Sequence, residues 1–415
     1  MPRLAAPIAW TLLCCACAVP AWAQSESDYD VPQADRVWLR ALLDVRLVRA
    51  GPAPSWTDAG AGKLRYGGKQ VGTGASAPGG VPQFERVTRL VLSQFAIEVG
   101  ATLPGGLRAQ AQVNFEPDIA DSAAPWLIEA ILRKEWGEPA NGTSLQGGVM
   151  NLPFSLEHVG AAWSPEFTIS ASALNSWLWE DASLAGLEGE WWHETSWGLR
   201  LGALVGAGFG PDRMARLLAL RGWALGDGIS GINSDVPLPR RTERQRIFDE
   251  RDNRPAGYSL LTLSDKNEVA SLKVGQFDNR GDQATNGVWR TKFTVVGVTL
   301  HPFSHIDVLA QYLDGSAQVA TPANDSDISA WYALLSWHRD RQRLTVRYDS
   351  FYVRDLDGGP NTSDDGNAVT VSWQLQWQLR HRVAFEHISL NSHRPASGVP
   401  DPTPEGWQLS YRYRY

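Results

Sequence analysis

Residues 407–415, Trp407-Gln408-Leu409-Ser410-Tyr411-Arg412-Tyr413-Arg414-Tyr415, alternate apolar and polar at every step and stop on an aromatic ring. Successive side chains of a strand point to opposite faces, so this segment has one greasy face and one polar face. Such a strand wants lipid on one side and water on the other. A half-buried edge strand of a soluble sandwich is the competing reading.

The pattern recurs along the chain. Leu107, Ala109, Ala111, Val113 and Phe115 oppose Arg108, Gln110, Gln112, Asn114 and Glu116. Val369, Val371, Trp373, Leu375, Trp377 and Leu379 oppose Thr370, Ser372, Gln374, Gln376 and Gln378, and Trp126, Ile128, Ala130, Leu132 and Trp136 oppose Glu129, Arg133 and Glu135. Sixteen such segments fall near 36–48, 87–100, 107–116, 126–136, 143–151, 186–194, 197–207, 257–264, 268–277, 289–300, 305–314, 327–339, 343–354, 367–379, 382–390 and 406–415. They have the roughly ten residues a tilted strand needs to cross a hydrocarbon core.

The gaps decide between the two readings. Short connections (101–106, 137–142, 195–196, 265–267, 301–304, 340–342 and 380–381) alternate with long ones (49–86, 117–125, 152–185, 208–256, 278–288, 315–326, 355–366 and 391–405). Short periplasmic turns and longer outer loops are the asymmetry of outer-membrane barrels. A soluble fold accounts for alternation within a strand but not for alternation in loop length. The expected fold is all-β: a closed antiparallel transmembrane β-barrel over 36–415, of about sixteen strands, with eighteen the alternative count. Lipid offers the backbone no hydrogen bonds, so an open sheet is excluded and 406–415 must pair with 36–48. A lumen of that circumference admits water and small solutes.

The amino terminus agrees. Arg3, an apolar stretch from Ile8 to Val19 and Ala21-Trp22-Ala23 form an export signal over 1–23, followed by a periplasmic segment over 24–35. A lipidated Cys17 is the alternative, disfavoured by cysteine rather than leucine at position 14. Cys14, Cys15 and Cys17 all lie within the signal, so disulfides and thiolate metal sites are not expected afterwards. Beyond the signal no run of apolar residues is long enough for a spanning helix. The 19 Trp suit interfacial girdles, and a net charge of −7 gives no reason to propose nucleic acid as a partner. The expected location is the outer membrane of a Gram-negative cell.

Residues 148–157, Gly148-Val149-Met150-Asn151-Leu152-Pro153-Phe154-Ser155-Leu156-Glu157, resemble the strand-then-PFxLE segment of the phosphate-selective porin family, with weaker similarity at 274–280 and 354–357. The resemblance implies a sixteen-stranded porin, often trimeric, whose third outer loop folds inward as a constriction. That loop would be 152–185, with Trp163, Trp177, Trp179 and Glu180 as constriction residues. It contains no Lys or Arg, so phosphate specificity is not carried over. Barrels of this kind also end on a terminal aromatic strand that the insertion machinery reads, which makes Tyr411, Tyr413 and Tyr415 the insertion signal.

The polar face then lines water. It carries Arg36, Arg40, Arg46, Arg108, Arg133, Arg200, Lys273, Arg343, Arg347, Arg382, Arg412 and Arg414, against Asp44, Glu98, Glu116, Glu129, Glu135, Asp307, Asp349 and Glu386. Strand direction puts Arg36, Arg40, Arg108, Arg133, Arg343, Arg382, Arg412 and Arg414 toward the periplasm. A basic vestibule there would favour anions modestly through its summed field. The alternative is that these arginines pair with the acids as a bracing network and select nothing.

Other motifs weigh less. The loop 355–366 has oxygen ligands but lacks the twelfth-position Glu of an EF-hand and reads as an acidic turn. His301 and His305 are separated by Pro302, which argues against a zinc pair. The arginines of 240–254 are interleaved with acids, and self-compensation is favoured over lipopolysaccharide binding. There is no nucleophile elbow, HExxH or phosphate-cradling loop, so an enzyme is not expected, nor a metal or cofactor. The expected function is a porin passing small solutes, with outer-membrane lipid, lipopolysaccharide and the insertion machinery as partners; the resemblance implies a homotrimer, though the sequence itself leaves the oligomeric state open. The rivals are a plugged barrel whose loops bind at the surface, and a soluble secreted β-protein.

Overall fold

A computed structural model describes residues 37–56, 62–72, 83–117, 125–237, 244–246, 248–280, 288–320, 324–357, 363–394 and 404–415. The expected signal over 1–23, the expected periplasmic segment 24–35 and Arg36 lie outside these. The described chain forms a closed antiparallel barrel of sixteen strands. They are β1 (Val37–Ala50), β2 (Val87–Leu103), β3 (Leu107–Phe115), β4 (Trp126–Glu138), β5 (Asn141–Asn151), β6 (Ser183–Glu194), β7 (Leu199–Phe209) and β8 (Ala256–Asp265). The second half comprises β9 (Ala270–Asp278), β10 (Val288–Phe303), β11 (Ile306–Ala320), β12 (Asn324–Arg339), β13 (Gln342–Asp355), β14 (Asp364–Trp377), β15 (His381–His393) and β16 (Glu405–Arg414).

Each strand overlaps one segment of the alternating pattern, and each pairs with its sequence neighbours. The seam is closed by β16 against β1, in register from Leu42 opposite Arg414 to Ala50 opposite Gly406. The last residue completes it, since the Tyr415 amide donates to the Ala41 carbonyl at 2.9 Å and the Ala41 amide donates back at 3.2 Å. No strand edge is left in hydrocarbon.

One loop departs from expectation. The predicted connection 315–326 is mostly strand, because β11 runs to Ala320 and β12 starts at Asn324. Its outward positions Ser316, Gln318 and Asp325 are polar and meet water beyond the lipid belt, whereas inward Ala317 is buried, so the apolar-outward pattern of the membrane strands reverses here.

The outer face is apolar, as lipid requires. Leu39, Leu90, Leu187, Val205, Leu335 and Val346 are exposed on it. Aromatics flank the belt: Trp136, Phe303, Trp337, Trp377 and Tyr415 toward the short turns, and Phe209, Tyr312, Trp331 and Tyr352 toward the long loops. The barrel is therefore an outer-membrane protein of a Gram-negative cell.

Two bulges re-aim the inner face. Between β1 and β2 the register slips at Asp44/Val45, so that Ser93 and Gln94 are both buried in the lumen. Between β3 and β4 it slips at Gln112/Val113. Beyond that bulge the sides exchange: Trp126 and Ile128, expected on the lipid face, are buried against inward loop residues Trp56, Trp179 and Ile229. A single inserted residue inverts a period-2 pattern.

Candidate functional site

Three stretches of loop fill much of the barrel lumen. They are 51–56 with 62–68, 152–182 with helix α1 (Ala173–Asp181), and 210–236 with helix α2 (Arg216–Arg221). The Ser172 hydroxyl caps α1 by accepting from the Asn175 amide at 3.2 Å. Gly222, at φ 75°, ends α2 in the left-handed region that residues with a Cβ avoid.

In the outer half these loops meet inward-facing apolar side chains of β8–β13. Trp177 packs edge-on to Trp223 at 5.5 Å and to Phe293 at 5.6 Å, and its indole N–H donates to the Met214 carbonyl at 3.0 Å. Leu152, Phe154, Leu218, Leu225, Phe277, Leu313, Ile328 and Phe351 join the same buried cluster. This half of the lumen is a packed core.

Ion pairs clamp the loops to the opposite wall. Arg46 and Arg412 both reach Asp44, at 2.7 and 2.8 Å. Arg46 also pairs with Asp227 of the third loop, which Arg65 of the first loop reaches at 3.1 Å; Arg65 meets Glu116 at 3.0 Å as well. Burial tends to raise the Asp227 carboxyl, but Arg46 and Arg65 outweigh it and hold the group below its ordinary range. Lys63 lies 2.7 Å from both Asp364 oxygens and donates to the carbonyls of Arg221 and Trp223 at 3.0 Å. Burial brings its pKa down to about 8, with Asp364 opposing the shift.

Arg347 is the largest single clamp. It bonds Asp349 and Glu157 at 2.9 Å, Thr168 Oγ1 at 3.0 Å, and the carbonyls of Ser170 and Ala171 at 2.6 and 2.9 Å. Glu386 completes the grip, accepting from the Ser170 amide at 3.1 Å and hydroxyl at 2.7 Å.

The periplasmic half is open. A cavity of about 590 Å³ is lined by β3–β9, residues 151–163 and Trp179, and one of about 1040 Å³ by β8–β15, with Val159, Thr262, Ser264, Glu268 and Lys273 common to both. The first carries Glu129, Glu188, Glu190 and Glu268 against Arg133, Arg200 and Lys273. The second carries Glu166, Glu268, Asp307 and Asp340 against Lys273, Arg341, Arg343 and Arg382. Acids and bases nearly balance.

The predicted vestibule residues separate accordingly. Arg40 pairs with Glu98 at 3.5 Å; Arg133 with Glu135 at 2.8 Å and Glu190 at 3.0 Å; Arg343 with Asp307 at 2.7 Å and Glu166 at 3.5 Å. Arg108 lies over the Trp38 ring at 5.5 Å. Arg200 and Lys273 line the chamber, the former exposed. Arg347 and Arg412 are corrected: they point inward but are fully buried; Arg382 and Arg414 are also largely buried and reach only the margins of cavities, Arg382 donating to the carbonyls of Glu166 and Pro165. A vestibule counted from strands alone omits the loops that cover it.

The predicted constriction residues are corrected in the same way. Trp177 and Trp179 are buried, and Glu180 pairs with Arg221 at 3.0 Å, so of the four only Trp163 is partly exposed. At the seam, Tyr411 is exposed on the outer face with its hydroxyl 2.7 Å from His381 Nδ1, Tyr413 has its ring 5.1 Å from the same imidazole, and Tyr415 packs under Arg380 at 5.6 Å. His301 is engaged by Asp307 at 2.8 Å. Part of the acidic turn 355–366 and of the arginine-rich 240–254 lies outside the described residues; Asp364 is occupied by Lys63.

Glu188 and Glu190 were legible, since they alternate with Leu187, Gly189 and Trp191 inside a predicted strand. Lys63, Glu157 and Asp227 were not, because loops carry no period to assign a face.

No protein-family model matches the sequence, and no curated protein does. Solved structures with the same fold include an anion-selective porin from Comamonas acidovorans, at 10% identity and TM-score 0.53 over 91% of this chain and 99% of that one. Another is the outer membrane channel DcaP of Acinetobacter baumannii, at 10% identity and TM-score 0.53 over 91% of this chain and 97% of that one. A third is OmpT of Vibrio cholerae in a trimer form, at 10% identity and TM-score 0.51 over 92% of this chain and 100% of that one. The chain has the sixteen-stranded porin fold, and these likenesses do not single out the phosphate-selective branch.

Proposed function

We propose that the protein is a porin-type channel that passes small hydrophilic solutes across the outer membrane, with the inward loops setting its bore. The observation that carries this reading is the charged chamber of the periplasmic half, where water-facing carboxylates, guanidiniums and amides line the cavities described above. An anion preference in this reading is modest. It comes from Arg108 and Arg200, which form no ion pair with a carboxylate among the described residues, and from Lys273, which Glu190 partly offsets, and the chamber's acids oppose it. The trimer form of the Vibrio cholerae neighbour extends the proposal to a homotrimer. Lipopolysaccharide and the insertion machinery remain the proposed partners of its outer loops and of Tyr411, Tyr413 and Tyr415. Catalysis has no place in it: the Ser155 hydroxyl, 3.0 Å from His158 Nδ1, also accepts the amides of Glu157 and His158 and serves a turn.

The packed outer half favours a second reading, a plugged barrel whose loops bind at the surface. Planar-bilayer recording separates the two. Stepwise conductance with a small anion-directed reversal potential in a salt gradient supports the channel. Silence after repeated insertions supports the plug, and clear cation selectivity ends the anion preference.

A further inference from the structure

The tip of the second inward loop presents an aromatic stack at the chamber wall. Trp179 lies between His158, stacked at 4.8 Å, and Trp163 at 5.3 Å. Trp163 borders both the 590 Å³ chamber and an adjoining pocket of about 260 Å³ that reaches Arg40, Glu98 and Gln110. The backbone that puts it there is strained: Ala162 and Trp163 sit at φ 53° and 56°, a left-handed pair without glycine. Strain of this kind persists where surrounding structure imposes it, and it gathers at ligand sites.

Two donors in the stack lack acceptors. The Ser155 oxygen already takes two backbone amides, so its proton goes to His158 Nδ1 and the imidazole carries its own proton on Nε2. That Nε2–H and the Trp179 Nε1–H are buried, and no described protein group accepts from either. Glu129, across the chamber, accepts from Gln110 at 2.7 Å and has no cationic partner among the described residues.

We propose that Trp163, with Gln110 and Glu129, forms a binding subsite for a neutral saccharide, backed by the His158–Trp179 stack. A pyranose has an apolar face that stacks on an indole and a rim of hydroxyls that both donate and accept. The planar carboxylate of Glu129 and amide of Gln110 meet those hydroxyls. An inorganic anion fits poorly, because four acids face three bases in this chamber. The cavity volume falls within the range of small-molecule sites. The subsite rests on the channel reading as the route by which a sugar would arrive, yet binding itself needs no conduction.

Calorimetric titration of the purified full-length protein in detergent, with D-glucose and with maltose, reads binding directly. Saturable binding is expected, weakened about tenfold or more by Trp163→Ala and by Glu129→Gln and largely kept by Trp163→Phe. Retention of the folded, heat-modifiable gel band shows that each variant barrel is intact. Absence of saturable binding with both sugars, binding unchanged in both Trp163→Ala and Glu129→Gln, or tighter binding of inorganic phosphate overturns the subsite. Conductance without sugar binding leaves the channel and removes the subsite. Sugar binding without conductance does the reverse.

Discussion

Replacing Arg347 with methionine keeps much of the side-chain volume and removes the charge that holds the second inward loop. Three carboxylates, Glu157, Asp349 and Glu386, then lie buried without their shared cation, and the carbonyls of Ser170 and Ala171 lose their donor. Breaking one partner out of a buried ionic cluster costs about 3–5 kcal/mol. The barrel's interstrand ladder is untouched, so the cost falls on docking of 152–182. At 1.4 kcal/mol per decade, the ratio of docked to released loop drops by about two to three and a half powers of ten. Planar-bilayer recording should show larger or noisier conductance steps than the parent, and limited proteolysis of the detergent-solubilised protein should cut within 152–182 while the barrel band persists. Parental conductance and parental protease resistance together would refute the clamp.

Three further outcomes follow from the same geometry. Burial pushes the His158 imidazole down to about 3; the docked loop thus stays neutral while a released one protonates below about 6.5. Docking is unaffected above that pH and weakens as pH falls, by about 2 kcal/mol between pH 6.5 and 5; proteolysis of 152–182 should rise over that window in the parent and not in His158→Phe. At Gly275 an added Cβ would meet the Phe154 ring at 2.6 Å; Gly275→Val should loosen the start of the loop by about 1–3 kcal/mol, seen as earlier tryptophan-fluorescence change on heating, and an unchanged profile counts against this seat. Deleting Tyr415 removes both backbone bonds to Ala41; less heat-modifiable barrel should reach the membrane fraction, and normal yield would separate the seam from assembly.

The barrel was legible because its two solvents impose a strict alternation. Each of its strands lies on a segment where apolar and polar side chains trade places, and the seam followed from the cost of an unpaired edge. Legibility failed where the backbone slipped. Trp126 and Ile128 read as lipid-facing because the bulge at Gln112/Val113 has no signature in the alternation itself. It failed again in the lumen, for a different reason. Arg347 and Arg412 are placed correctly on the inner face, yet whether an inner face meets water depends on loops whose residues carry no period.

A signal for that covering is nevertheless present in the strands. A lumen filled with water needs polar inner positions along the whole strand, but in β9–β13 the outer half of the inner face is apolar: Phe277, Phe293, Val295, Leu313, Ile328 and Phe351 all point inward and are buried. Here apolar residues occupy both faces, as at Val295-Val296 and Tyr312-Leu313, so the alternation fades where one face meets lipid and the other meets protein. On β1 and β13–β16 the inner face stays charged, and there the loops are held by Arg46, Arg347, Asp364 and Glu386, with Arg412 and Asp44 bracing Arg46. The lumen wall thus offers two kinds of seat, one dry and one ionic. The dry seat adds packing, while the ionic seat fixes the position of each loop, because a charge buried away from its partner is penalised far more than a displaced methyl group. The loops are therefore positioned chiefly from the β1 and β13–β16 side, and substitutions there should move them more than equal losses of apolar volume on β9–β12.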